Sequence, residues 1–356
     1  MTAMLTPALV PTTPTATTDA LAVVRAARRG PRRRHLLVVV GLGVLLVLAF
    51  AARVLLGDYT ITVPDFFRIL SGTDIPGASY ILMESKLPRA VLAVLTGLAF
   101  GVAGALFQTT LRNPLASPDI IGVNLGASAL AVVAIALWGW QGLPVSGVAI
   151  LGAVGVALVV RLVAGTHGGH RLILVGIGVA AAMQSVIQYV FTRVDEYDAQ
   201  LVLRWLTGSV NGVEWSTIRL LAVALALLLP LTGWLARSLR ISELGDDAAA
   251  GLGVPGARGQ LLLLAGVVLC AVSVAAAGPI AFVSFLAGPI ARGLNSGRTT
   301  LLGSALAGAV IVVAADYVGD YLIPDTNLPV GVVTGAIGAP FLLWLLARGR
   351  TGRRAA

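Results

Sequence analysis

From Ala90 to Leu111 the sequence reads AVLAVLTGLAFGVAGALFQTTL, an unbroken run without one charged side chain. A helix rises about 1.5 Å per residue, so such a run crosses the roughly 30 Å hydrocarbon core of a bilayer. Lipid offers no partner for a bare N–H or C=O, and a single segment meets that demand only by bonding within itself as a helix. Runs of this kind recur along the chain. Of its 356 residues 57% are hydrophobic and 12% charged, against about 25% charged in a soluble domain. The fold class that follows is an all-α polytopic membrane protein with the lipid bilayer as its surroundings.

Apolar spans are expected at Leu36–Leu56, Ala90–Leu111, Ile120–Trp138, Val145–Val163, Leu172–Phe191, Ile218–Leu235, Leu261–Ala277, Ala281–Leu294, Leu301–Val318 and Val330–Ala347, which makes about ten transmembrane helices. The stretch from Leu261 to Ala291 is too long for one ordinary helix, and Gly278-Pro279 breaks it. Pro230 is expected to kink the sixth span, which a membrane bundle tolerates. Between the first two spans, Gly57 to Pro88 is amphipathic, of mixed charge and too polar to cross. Residues 1–34 are rich in Thr, Pro and Ala and then in Arg, and are expected to form a disordered basic cytoplasmic tail. A cleaved signal peptide is the rival, but Leu36–Leu56 is too long for its apolar region and no clear small-x-small site follows. Residues 35–348 then form the transmembrane domain, with a cytoplasmic loop at 237–260, and residues 349–356 a short basic cytoplasmic tail.

Ten spans put both termini on one side, and a count of basic residues chooses the side. With both ends inside, 18 of the 25 Lys and Arg fall in the inner loops and tails and 7 outside, which is the positive-inside bias of a cytoplasmic membrane protein. The same bias accounts for the net charge of +9 without nucleic acid. Cys270, the one cysteine, lies in an apolar run, so no intrachain disulfide is available. Glycine pairs four apart, Gly97/Gly101, Gly122/Gly126 and Gly331/Gly335, suit close helix packing.

The span centres hold no ionisable residue, although such residues mark proton relays and ion-coupled transport. Arg53 and Asp316 lie near helix ends, where snorkelling or pairing accounts for them. No HExxH and no GxxxxGK[ST] occurs, so neither a zinc protease nor a nucleotide-binding loop is present. His167 and His170 share a short polar loop, and two ligands alone make a weak metal site. No catalytic residue, cofactor site or metal site is assigned, and energy for transport has to come from a separate protein. Within the spans the notable polarity is uncharged: Gln184 and Gln188 stand one helical turn apart on one face, where they either line a path for a large polar solute or bind a neighbouring helix. The other polar feature is the island RSLRISELGDDAAAGLGVPGARGQ (237–260), charged and glycine-rich between long apolar runs.

From Leu87 the chain reads LPRAVLAVLTGLAFGVAGALFQTTLRNPLASPDIIGVNLGAS, with WLTGSVNG from Trp205, ELGDDAAAGLGV from Glu243, AGPIAFVSF from Ala277 and LPVGVVTGAIGAPFLLWLL from Leu328. In combination and in this order these stretches closely resemble the FecCD/BtuC-type permeases, the membrane subunits of ABC importers for ferric siderophores, haem and cobalamin, from about Leu36 to Arg350. The resemblance implies the BtuC-like type II importer permease fold of ten helices. It also implies a transport subunit that is not itself an enzyme, paired with a second permease subunit as a homo- or heterodimer. The implied partners are a cytoplasmic ABC ATPase dimer and an extracytoplasmic substrate-binding lipoprotein that delivers a ferric siderophore; cobalamin, haem or a divalent metal are the alternative ligands, and an ion-coupled secondary transporter the alternative class.

Carried over residue by residue, the family's coupling helices fall on Glu243, Leu244, Gly245, Asp246, Asp247, Ala248, Ala249, Ala250 and Gly251. Acidic residues there suit the start of a short helix, and the small residues permit close docking. Lys86 and Arg89 match the basic positions that dock the binding protein. Two departures stand out. Asp320 occupies the place of a further basic docking residue, and Gly288 to Arg292 reads GPIAR where relatives often have Pro-His or Pro-Gln.

Overall fold

The computed structural model describes residues 16–165, 169–323 and 326–352, all of whose regular structure is helical. The helices are α1 (Ala16–Leu55), α2 (Val63–Leu70), α3 (Ala78–Thr110), α4 (Val123–Trp138), α5 (Leu143–Ala164), α6 (Gly169–Phe191), α7 (Glu196–Thr207), α8 (Trp215–Leu235), α9 (Leu239–Ser242), α10 (Asp246–Gly251), α11 (Ala257–Ala277), α12 (Val283–Leu294), α13 (Leu301–Leu322) and α14 (Val330–Gly352). Among the described residues seven helices are long and apolar enough to cross a membrane. Three shorter apolar ones, Val123–Trp138, Val283–Leu294 and Val330–Leu345, coincide with the remaining expected spans.

Helix α3 is the axis of the bundle. It packs against α13, α11, α12 and α8, and 78% of its most apolar window is buried, against 6% for α1. The sequence of α3 explains this. Gly97 and Gly101 meet the backbone of α13 at Gly308, Ala309 and Ser304 so closely that any Cβ would overlap it. Small residues are what let helix axes come together in lipid, where close packing supplies much of the association energy. Gly126 of α4 lies against Gly152 of α5 in the same way, and α11 joins this second group to α3. The periphery shows the opposite pattern: Leu220, Val223, Leu227 and Leu231 form one exposed apolar face of α8, the face a bilayer covers.

Three expectations meet a different outcome or a sharper one. Helix α1 begins at Ala16, inside the stretch expected to be a disordered tail, while residues 1–15 lie outside the described residues. Helix α14 runs on to Gly352, into the expected C-terminal tail, of which residues 353–356 lie outside the described residues. The segment after α1 holds its own helix, α2, where Thr62 accepts a hydrogen bond from the Asp65 backbone N–H at 3.3 Å. Helix α8 continues through Pro230. The break at Gly278-Pro279 is where the sequence puts it: α11 ends at Ala277, Gly278 takes φ 72°, and α12 starts at Val283. Gly278 there abuts the Trp205 carbonyl and Gly208 the Pro279 carbonyl, a crossing that leaves no room for a Cβ on either.

Candidate functional site

Two ends and one cavity carry the chemistry. At the first end, the last turn of α1, the first third of α3 and the end of α13 converge. Arg53 Nε lies 2.5 Å from Asp316 Oδ2, and its NH2 2.8 Å from Asp320 Oδ2. Arg89 NH2 lies 2.8 Å from Asp316 Oδ1, and its NH1 3.0 Å from Asp320 Oδ1. Arg53 NH1 also donates to Tyr321 Oη at 2.9 Å. Lys86 donates through Nζ to the carbonyls of Leu56 and Tyr59, both at 2.6 Å. Arg53, Lys86, Arg89 and Asp316 are buried. Charges taken from water need this density of partners.

Lys86 and Arg89, expected to dock a binding protein, are both buried and engaged inside the fold. The same geometry accounts for Asp320: the acid at an expected basic position faces inward and pairs with both arginines.

The second end holds the polar island. Here α9 and α10 are two short helices joined through Gly245, at φ 113°. Thr299, in the loop between α12 and α13, donates its hydroxyl to Glu243 Oε1 at 2.7 Å. Arg112, just past α3, donates to the Ser242 carbonyl at 3.0 Å. The island is thus tied to the bundle's axis and to α13. Glu243, Leu244, Asp247, Ala248, Ala250 and Gly251 are exposed, Gly245 is partly buried, and Ala249 is buried with Val254 beneath. Leu252, which the motif reading did not single out, is as exposed as Leu244, at 63% and 65%. Both are large aliphatic side chains exposed on an otherwise polar loop.

Between the ends lies a cavity of about 560 Å³, bounded by the loop after α3 and by α4, α6, α7, α12 and α14. Gln184 lines it and Gln188 does not, although both are exposed; one helical turn separates a residue inside from one beside it. The cavity also draws in residues that motif reasoning passed over. Asp119, in the loop between α3 and α4, accepts from Asn124 Nδ2 at 2.6 Å and from Ser284 Oγ at 3.4 Å. Cys270 Sγ donates to Asn124 Oδ1 at 3.1 Å, which ties α11 to the same cluster. Burial pushes the Asp119 carboxyl up to about 7, partly opposed by the hydrogen bonds from Ser284 and Asn124. Ser117 Oγ is buried with no protein partner. Phe282 opens α12 at φ 63° and meets Phe285 edge to face, with ring centroids 6.2 Å apart. A left-handed bulky residue costs of order 1–3 kcal/mol and such outliers gather at functional sites. One signal was legible: Asp119 is the single acidic residue between Glu84 and Asp195.

Among the described residues no group of three or more His, Cys, Asp or Glu is placed to hold a metal ion. His167 lies outside the described residues, as does the side chain of His170.

Residues 45–348 match the FecCD transport family. The chain is 37% identical to the ferric enterobactin transport system permease protein FepG of Escherichia coli (strain K12) over 82% of this chain and 89% of that one. It is 40% identical to the Fe(3+) dicitrate transport system permease protein FecD of the same organism, over 76% and 86%. To the iron(3+)-hydroxamate import system permease protein FhuG of Bacillus subtilis (strain 168) it is 35% identical over 85% and 94%. Among solved structures it resembles a metal-chelate type ABC transporter in an inward-facing conformation, with a TM-score of 0.76 and 26% identity over 87% of this chain and 98% of that one.

Proposed function

This chain belongs to the FecCD transport family, and from that membership we propose that it is the membrane-spanning permease subunit of an ABC importer that carries a ferric siderophore across the cytoplasmic membrane. The observation that carries the reading is the set of relatives: permeases for ferric enterobactin, ferric dicitrate and ferric hydroxamate match at 35–40% identity over three quarters of the chain or more. A vitamin B12 permease, BtuC of Citrobacter koseri, matches at 30% over 90% of the chain, which makes cobalamin the second reading.

In this account both termini and the 237–260 loop face the cytoplasm. Glu243 to Gly251 enter a groove on an ATPase dimer, with Leu244 and Leu252 as the apolar contacts. A second permease subunit, identical or related, completes the pore, and a substrate-binding lipoprotein delivers the chelate from outside. Gln184 belongs to the translocation path and Gln188 to its margin. Lys86 and Arg89 act from beneath the outer surface, holding α1, α3 and α13 together. The charges a delivery protein meets around them are Asp58, Arg68, Asp74 and Glu84, all exposed.

The test is iron uptake. A strain lacking this gene is expected to lose growth on a ferric siderophore as sole iron source and to regain it on complementation. Uptake that survives loss of the partner ATPase but collapses with an uncoupler would instead make the chain an ion-coupled transporter.

A further inference from the structure

The residues ahead of position 45 stand apart from the rest of the chain, because the family match begins only there. Within them the basic and apolar parts of α1 meet. No acidic residue occurs between Asp19 and Asp58, while six arginines fall between Arg25 and Arg34, directly ahead of the apolar run from Leu36. At that junction an open groove of about 670 Å³ lies between α1 and the last residue of α12, Leu294. One stripe of α1 lines it, from Gly30 through Arg33, Leu37 and Gly41 to Leu45, at the three- and four-residue spacing of a single helix face.

The groove is held in shape by its neighbours. Val38 and Leu42 pack α1 against Ala287, Ile290 and Ala291 of α12, and Arg34 Nε donates to the Leu294 carbonyl at 3.0 Å. Among the described residues nothing bonds to the other guanidinium nitrogens of Arg34 or to the guanidinium of Arg33, and both residues are exposed. None of the described lining residues is acidic. Gly30 and Gly41 leave the floor open, since a Cβ on either would touch nothing. From Arg33 to Leu45 the helix rises about 18 Å, enough to run from headgroup level through one leaflet of a hydrocarbon core about 30 Å thick.

From this stripe we propose that the groove binds one anionic phospholipid of the leaflet at this end of the bundle. Its phosphate bridges Arg33 and the unengaged nitrogens of Arg34, and an acyl chain lies over Gly41 between Leu37 and Leu45. Guanidinium forks suit pairs of phosphate oxygens, and arginines clustered beside a membrane span attract anionic headgroups. With no acid in the groove, the counter-charge for these two comes from outside the fold. A soluble acidic partner would meet the arginines but has nothing to lay along an aliphatic floor that faces lipid. The bound lipid braces α1 against α12, where 6% of the apolar window of α1 is otherwise buried. Such a site requires that the chain span a bilayer but not that it carry a particular ligand, so losing it would leave the ferric-chelate function untouched.

The experiment counts lipids bound to the full chain in a non-ionic detergent by native mass spectrometry, with phosphatidylglycerol and phosphatidylcholine of identical acyl chains as probes. The wild type is expected to hold one phosphatidylglycerol at least about tenfold more tightly than phosphatidylcholine. Arg33→Ala with Arg34→Ala should weaken that binding roughly 30-fold, the weight of two arginines at a membrane surface. Gly41→Phe fills the groove with every charge in place and should lose the bound lipid too. Arg193→Ala with Arg219→Ala removes two exposed arginines elsewhere and should leave it bound. Equal affinity of the wild type for the two lipids overturns the proposal, whatever the variants do. So does unchanged binding in Gly41→Phe. Competition by glycerol phosphate as strong as by the lipid would mean a site for a free anion, and a dimer split by Gly41→Phe but indifferent to phosphatidylglycerol would mean a face for a second copy; either result overturns it.

Discussion

The end of the bundle that gathers Arg53, Arg89, Asp316 and Asp320 hides its charges, whereas the end that carries residues 237–260 displays them. Both ends carry acids and arginines, and what separates the two cases is close ion pairing in a buried setting. At the hidden end, the two aspartates lie on α13 more than 220 residues beyond both arginines. At the displayed end, the exposed Glu243 accepts from a threonine hydroxyl and feels the Arg292 charge without an ion pair closing on it, and Asp247 stands exposed on a short helix. Buried charge holds the helices together, and exposed charge is available to another protein. Both follow from desolvation: a charge leaves water only where other charges and dipoles replace its hydration.

Four measurements would break or sharpen this contrast. The largest effect is expected from Glu243→Arg combined with Asp247→Arg, which should abolish co-purification with the ATPase while the protein still inserts. Normal association and uptake would remove the island from the coupling surface. Next, Asp316→Ala leaves two buried guanidiniums short of a partner and should cost about 3–5 kcal/mol of stability, read as an earlier thermal unfolding midpoint in detergent. Asp320→Ala should cost less, because its side chain is 10% exposed against 1% for Asp316. If both leave the midpoint unchanged, the cluster does not brace the bundle.

A smaller change is expected from Leu252→Asp, which should weaken ATPase binding by about 1.5–3 kcal/mol, the worth of one buried leucine, and leave the unfolding midpoint alone. Smallest is the contrast within α6: Gln184→Ala should slow uptake a few-fold and Gln188→Ala barely, and the reverse order would move the path to the other side of that turn.

Much of the fold was legible because its cause is local. The uncharged runs place the helices, Gly278-Pro279 places the break between α11 and α12, and Gly97/Gly101 place a close contact on α3. Less was legible where helicity outruns hydrophobicity, as at Ala16 and Gly352, since polar residues are compatible with a helix that leaves the membrane. The polar island could be found as a motif, but not Leu252, whose exposure on that island is decided by the fold around it. Gln184 could be found and Asp119 was passed over, although its isolation as an acid in a long uncharged region was a usable signal.

The sequence by itself determined that the chain crosses a membrane many times as helices and that it belongs with metal-chelate permeases, because backbone hydrogen bonding in lipid and the order of motifs are both written along the chain. Only the tertiary structure decided that Lys86 and Arg89 are buried, that Asp320 pairs with Arg53 and Arg89, and that Asp119, Asn124 and Ser284 meet in one hydrogen-bonded cluster. Electrostatic partnership depends on distance in space, and the sequence records only distance along the chain.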